Sequence, residues 1–228
     1  HKKWTYKTIY TFCPDGDCSA GERPNGQLSY AGAAQGLPYD GVSPLYGAAQ
    51  YGGSGGGHGV VYQVVPNGDH WTQSVLYAFC QESGCADGAA PGGVFVAGDG
   101  SIYGAANDGG NDVLNSCMGG CGVLFHLTPK GAPTQRGTQW KDETIYTFCS
   151  QVDCADGKEP FFPPVMDGDG NLIGATENLV FKLSKSGKHW TLAALHTGIT
   201  PTSGVTLDTN GTIFGEKAYP AQGEVYRL

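Results

Sequence analysis

The residues able to do chemistry are few, and they fall in loops. His58 closes the run YGGSGGGH, where a flexible segment leaves an imidazole free to act as acid, base or ligand. Asn107, Asp108 and Asp112 share a long segment that ends in two cysteines, Cys117 and Cys121. Arg23, Lys158 and Glu159 stand just ahead of a recurring proline, and Glu177 and Glu216 occupy shorter loops. Two carboxyls facing each other across a cleft serve as the acid and base of glycoside hydrolysis. A histidine or tyrosine beside a neutralised carboxylate serves a polysaccharide lyase. His58, Asp108 and Glu159 are therefore the catalytic candidates. Tyr51 offers a ring face for shallow sugar contacts, which makes Tyr51, His58, Asn107, Asp108, Asp112, Arg23, Lys158 and Glu159 the ligand-binding candidates.

Eight cysteines form four close pairs: Cys13/Cys18, Cys80/Cys85, Cys117/Cys121 and Cys149/Cys154. Three of the pairs are C-x4-C in the same place of a repeated segment, so local disulfides are the economical reading, and they imply an oxidising compartment. Zinc is the competing reading, but C-x4-C without nearby histidines matches zinc spacing poorly. A terminal His1 would chelate copper only if it were the natural amino terminus, and no pair of histidines supports it.

What positions these residues is a repeat. WTYKTIYTFCPDGDCSAGERP from Trp4 recurs as WTQSVLYAFCQESGCADGAAP from Trp71 and WKDETIYTFCSQVDCADGKEP from Trp140. A decayed copy, WTLAALHTGITP, starts at Trp190. After each comes a segment opening at Pro24, Pro91, Pro160 or Pro201, then an apolar-Gly pair (Tyr46-Gly47, Tyr103-Gly104, Ile173-Gly174, Phe214-Gly215), then GVVYQV, GVLFHL, NLVFKL or GEVYRL. The Trp segments alternate, with Trp71, Val75, Tyr77 and Phe79 on one face, as half-buried strands do. Four strands in each of four units predict a small all-β propeller. The four tryptophans recur and read as packing residues. Asp87-Gly88 and Asp156-Gly157 recur too, and read as turns or caps on backbone N–H groups. His196 takes the place of a tyrosine and reads as packing; His70 and His189 read as solvated turn residues.

Composition agrees. The chain has 228 residues, 38 of them glycine, and 15% charged residues, with no helical apolar spacing to predict helix. A net charge of −8 without a basic patch argues against nucleic acid or an anionic membrane as partner. No apolar run is long enough to span a bilayer, and without a signal peptide the chain reads as mature or trimmed. GDGS (98–101), GDGN (168–171) and DTNGT (208–212) read as hairpin turns; the Asp167/Asp169 pair fails the calcium-loop pattern after its second acid. Asn210-Gly211-Thr212 is a formal glycosylation sequon set in such a turn.

The pattern P…D-x-x-G-x-L-Y-G…G-x-V-F-x-L…W…Y-x-F…D-G-x-x-P, clearest in GDGSIYGAANDGG (98–110) and YAFCQESGCADGAAP, resembles the GloVer tandem repeats of secreted bacterial proteins. The likeness runs along essentially the whole chain. It departs at Ala20, where the Asp of the DG pair is expected, at the insertion AGAAQGLPYDGV, and in the fourth repeat, which has no DG loop. It implies fold and export rather than an activity. The Pro segment followed by G-x-L-Y also resembles NHL-type blades, whose proline strand is innermost. On that alignment the chain is one propeller domain over 1–228. Its blades lie at about 24–79, 91–148, 160–197 and 201–228, and residues 4–12 form the outer strand that closes the ring. All four cysteine pairs then lie on one loop face, at the mouth of the central channel. The expected function is an exported, secreted or periplasmic binding module that recognises an extracellular glycan or cell-surface component on that face. A carbohydrate-active enzyme at the same mouth is the alternative. No cofactor or metal motif is present, although the central channel has room for a structural cation.

Overall fold

Four times along the chain a glycine in one strand faces an aromatic ring in the next: Gly47 and Tyr62, Gly104 and Phe125, Gly174 and Phe181, Gly215 and Tyr226. In every pair a Cβ on the glycine would run into the ring. The recurring apolar-Gly dipeptide is thus a bed on which the neighbouring strand lays its aromatic side chain. The four beds belong to four antiparallel sheets, arranged as a four-bladed β-propeller in this computed structural model. It describes residues 3–110, 117–132, 138–218 and 223–228. The candidates His1 and Asp112 lie outside the described residues.

The first sheet runs β1 (Glu22–Ser29), β2 (Leu45–Tyr51), β3 (Val60–Asn67) and β4 (His70–Ala78) in order from the axis outward. The second is β5 (Ala89–Val96), β6 (Ile102–Asp108), β7 (Val123–Pro129) and β8 (Trp140–Thr147). The third is β9 (Val165–Met166), β10 (Leu172–Ala175), β11 (Leu179–Ser186) and β12 (His189–Thr197). The fourth has three hydrogen-bonded strands, β13 (Thr206–Leu207), β14 (Ile213–Lys217) and β15 (Glu224–Arg227). Helix is confined, among the described residues, to three short 3-10 turns at Ala33–Gln35, Ser83–Cys85 and Val152–Cys154. The proline segments are innermost. Around the axis their backbones come so close that a Cβ on Gly26 would lie 2.6 Å from the carbonyl oxygen of Gly92, and one on Gly92 would strike that of Phe161.

Blade locks to blade through the last apolar residue of each Trp segment. Phe79, after β4, meets Phe125 of the second blade edge-on at 5.0 Å, and Phe148, after β8, meets Phe181 of the third at 5.4 Å. Ile199 shares a core cluster with Tyr226 of the fourth. Phe12 meets Tyr62 of the first blade at 4.9 Å. The N-terminal segment thus packs Ile9, Tyr10 and Phe12 against the first blade, in the manner of Phe79 and Phe148. The outer strand expected over 4–12 is not formed: residues 3–11 carry no strand ladder, and Trp4 and Tyr6 are 89% and 94% exposed. Trp71, Trp140 and Trp190 pack into the cores, whereas Trp4, read as a packing residue, stands out in solvent because no ladder holds its segment flat.

The hairpin aspartates are turn formers. Asp99 accepts from the backbone N–H of Ser101, Asp208 from those of Asn210 and Thr212, and Asp167 from those of Asp169 and Asn171. Asp167 also pairs with Lys182 at 3.1 Å, so it is not left open for a cation. His70 and His189, read as turn residues, are exposed but open strands β4 and β12 directly after the turns. His196 is exposed rather than packed, and the reason lies in what its tyrosine counterparts do in the loops that follow.

Candidate functional site

Strand direction places the loops ahead of β1, β5 and β9, and the β2–β3 and β6–β7 loops, at one end of the propeller. All four cysteine pairs are closed there as Cys13–Cys18, Cys80–Cys85, Cys117–Cys121 and Cys149–Cys154. The three C-x4-C loops are each tied to the hairpin loop beside them. The carbonyl of Cys18 accepts from the Gly53 N–H at 2.9 Å, that of Cys85 from the Gly110 N–H at 2.9 Å, and that of Cys154 from the Asn178 side-chain amide at 3.4 Å.

Two loops are held further by a buried carboxylate. Asp87, fully buried, accepts from the Tyr77 hydroxyl at 2.7 Å and from the backbone N–H groups of Gln81 and Glu82 at 2.9 and 3.2 Å. Asp156 repeats this with Tyr146, Ser150 and Gln151, and adds the Ser150 hydroxyl at 2.6 Å. The recurring Asp is thus a cap that fastens its loop to a strand tyrosine. Burial and the bond to Asp156 push the Tyr146 phenol up to about 12. His196 has no such aspartate to bond, since the fourth repeat lacks the DG loop, and so it stays in solvent.

On this fastened face the single-copy residues sort into two clusters. The first is an open basin of about 740 Å3. Arg23 and Tyr51 meet in it, the guanidinium 5.1 Å above the ring centroid, a cation–π distance. β1 and β2 bring them together: Glu22 is the cross-strand partner of Tyr51, and Arg23 follows it in a left-handed conformation, φ 55°. Gly52, Gly53, Gly56 and Gly57 also line the basin, all at positive φ, which a side chain would strain. Asp17 and Glu22 add carboxylates to the lining. Asp17 accepts from the backbone N–H of Ser19 at 2.9 Å, which holds its pKa below the usual value.

The second cluster lies at the matching positions of the second and third blades. Asp108 pairs across the sheet with Ala89, as Tyr51 does with Glu22. Glu159 is left-handed at φ 51°, like Arg23 and Ala90. Lys158 is bound to Glu177 at 2.8 Å, and the Asn107 amide donates to Asp108 at 2.7 Å. Burial raises the pKa of Asp108. Burial, and then the neighbouring Glu177 and Asp108, raise that of Glu159.

His58 joins neither group. It is exposed, its ring lies within 4.8 Å of the Cys80–Cys85 sulfurs, and its carbonyl accepts from Ala90 N–H. Three groupings bring potential metal-binding atoms together among the described residues: His58 with Cys80 and Cys85, Cys121 with Cys149 and Cys154, and Glu22 with Cys13 and Cys18. In all three the sulfurs are spent in disulfides, so none offers the thiolate a metal needs.

Some ionisable residues escaped sequence reasoning, Asp142 among them. Asp142, on β8, has an oxygen buried without a hydrogen-bond partner. Its pKa is pushed up to about 7 by burial and by the charges of Asp87 and Glu82. Its equivalents Gln73 and Leu192 carry no charge, and that departure from the repeat was the available signal.

Comparison with known proteins adds little. No family model matches the chain, and no curated protein matches it. Among solved structures, an oxidoreductase (glucose dehydrogenase) of Thermus thermophilus is similar over 81% of this chain and 78% of its own, at 14% identity and a TM-score of 0.31. A likeness that distant carries no argument about this chain.

Proposed function

We propose that the protein is an exported binding module whose disulfide-bearing loop face recognises a glycan. The observation that carries this reading is the Arg23–Tyr51 pair: a 38% exposed aromatic ring with a cation on it, beside a glycine-rich wall and a disulfide loop. Sugar rings lay their C–H faces on such aromatics, while Asp17, Glu22 and the guanidinium supply acceptors and donors for hydroxyls. Rigid loops reduce the ordering that binding must impose. Four disulfides fit an oxidising compartment outside the cytoplasm, as does the resemblance to secreted GloVer repeats. No described helix is long and apolar enough to cross a membrane.

The test is native electrophoresis through a panel of polysaccharides, followed by sizing of the polymers. A binding module is retarded by a particular polymer and leaves it intact, and Tyr51→Ala and Arg23→Ala each weaken retardation by about tenfold while the melting temperature holds. Retardation indifferent to both substitutions refutes the assignment to this basin. A second reading, a carbohydrate-active enzyme, draws on one observation: Asp108 and Glu159 are neighbouring carboxyls with raised pKa values, the property a general acid needs. Polymer shortening abolished by Asp108→Asn or Glu159→Gln would establish it in place of simple binding.

A further inference from the structure

The opposite end of the propeller carries a second cavity of a different character. It measures about 680 Å3 and is walled by all four innermost segments: Leu28 of β1, Phe95 of β5, Pro163 and Pro164 before β9, and Thr206 of β13, with Phe162 beside the prolines. These residues sit in the middle and far half of their segments, beyond the glycine contacts at Gly26 and Gly92, so the cavity opens away from the disulfides. The chain has 13 Lys and Arg and 21 Asp and Glu, yet among the described residues none of them, and no histidine, lines this space. Carboxylate ligands for a channel cation are accordingly missing from its described lining.

Leu28 deepens the point. It lies on an innermost strand and is 46% exposed, where Val94 of the adjacent innermost strand is 3% exposed. The single-copy insertion AGAAQGLPYDGV follows β1 directly and brings Ala33 to the same lining. That insertion is ordered by its own bonds: Tyr30 donates to the Leu37 carbonyl, Tyr39 to the Ser43 carbonyl, and the two rings meet edge-on at 5.3 Å. Two polar groups on the wall are already engaged, the Ser29 hydroxyl by the Val96 N–H and the Ser203 hydroxyl by the Gly204 carbonyl.

We infer that this axial cavity is a binding site for an uncharged, ring-bearing small molecule with at most one polar end, the phenol or aryl-amine class. The size falls in the range of small-ligand pockets, about 300–1,000 Å3. Phe95, Phe162, Pro163 and Pro164 present flat apolar surfaces, which suit a ring, while Gln27 and Thr206 provide hydrogen-bonding groups for its polar end. A charged ligand would lose its hydration to a wall that offers no counter-charge. A sugar, with a hydroxyl on almost every carbon, would leave most of them unpaired here. The site is independent of the glycan basin, which lies on the other face.

A matched pair of probes tests this on the unmodified protein. N-phenyl-1-naphthylamine is neutral, and anilinonaphthalene sulfonate is the same ring system with a negative charge. The neutral probe should show a saturable one-to-one gain in fluorescence, and the anionic probe should bind at least about tenfold more weakly. Leu28→Trp and Thr206→Trp, which fill the cavity from two sides, should each weaken the neutral probe by about tenfold and leave polysaccharide retardation unchanged. Equal affinity for the two probes, no saturable signal, or displacement of the neutral probe by glucose overturns the assignment. So does binding that survives both substitutions in folded protein. A signal lost on dilution would place the probe between two copies of the chain and also overturn it. If Leu28→Trp fails to fold, Thr206→Trp, at an exposed position, decides the location, and the two-probe comparison needs no variant.

Discussion

Replacing Asp87 with alanine tests whether the buried caps hold the loop face together. The carboxylate is fully buried and accepts three hydrogen bonds, from the Tyr77 hydroxyl and the N–H groups of Gln81 and Glu82. Truncation strands three donors beneath the Cys80–Cys85 loop. Each buried donor left unpaired costs about 1–3 kcal/mol. The donors are neutral and part-buried, so water entering the vacated space recovers much of that, and the net loss is about 2–4 kcal/mol. For a chain of this size, each kcal/mol lowers the melting temperature by about 2–4 °C, which predicts a fall of about 5–15 °C. Asp156→Ala should do at least as much, because Asp156 also binds the Ser150 hydroxyl. Tyr77→Phe removes a single donor, for about 1 kcal/mol. The assay is urea and thermal unfolding with the disulfides intact, at about pH 5, where the nearby Asp142 is protonated in the folded state and does not confuse the result. A loss for Asp87→Ala below about 1 kcal/mol would refute the capping role. So would abolished polysaccharide binding at unchanged stability, which would make Asp87 a site residue.

Asp142 predicts the opposite sign. Its proton is held in the folded state up to about pH 7, whereas an unfolded aspartate gives it up near about 3.9. The stability linked to that proton is complete below the unfolded value and is lost as pH rises through the folded one. Asp142→Asn should therefore match the parent at about pH 4 and be more stable by about 2–4 kcal/mol at about pH 8, and an equal gain at both would refute the linkage. The blade locks differ in grade. Phe79→Ala, at a fully buried ring, should cost about 3–5 kcal/mol in urea unfolding, and Phe12→Ala, half-buried, about 1–2. Deleting residues 1–12 should lower the melting temperature, and an unchanged value would show that the segment's packing against the first blade does not stabilise the ring.

The propeller was legible because its requirements recur. A glycine that must lie under a ring, a proline at the start of the innermost segment and a Phe that locks the next blade each appear at one spacing in several copies, so periodicity reports them. The manner of closure was not legible. The segment WTYKTIYTF has the same alternation as β4 and β8, but alternation specifies which face packs and says nothing of whether the partner edge presents a matching ladder. The basin was half legible: Arg23 and Tyr51 were both singled out, but their stacking depends on a left-handed backbone at Arg23 that no local motif announces. The surroundings of His58 were not legible for a related reason. A glycine run promises a mobile loop, yet the Gly53 and Gly59 N–H groups are tied to Cys18 and Gly52, and the histidine is turned towards the Cys80–Cys85 disulfide. Asp142 was marked only by its departure from the repeat, because its burial and its perturbing charges, Asp87 and Glu82 of the preceding repeat, are tertiary.

What the ring repeats and what it varies bear on the proposed choice between recognition and catalysis. Arg23, Ala90 and Glu159 occupy one backbone position, with φ of 55°, 52° and 51°, each the second residue of the segment that leads into an inner-strand proline. A left-handed non-glycine residue is disfavoured by about 1–2 kcal/mol, so the fold maintains this conformation against a local penalty three times over. The side chain there changes from a cation to a buried methyl to a carboxyl. A scaffold that fixes the backbone and changes the charge around its rim produces distinct subsites, as recognition of an extended and irregular polymer requires. Catalysis would instead need tuned groups to converge on one point, which on this face only the neighbouring Asp108 and Glu159 do, away from the basin where the exposed ring lies. Exchanging the charges with the double variant Arg23→Glu, Glu159→Arg separates the two readings. A binding rim should change which polysaccharide it retards, whereas a catalytic centre should lose polymer shortening and keep its preference.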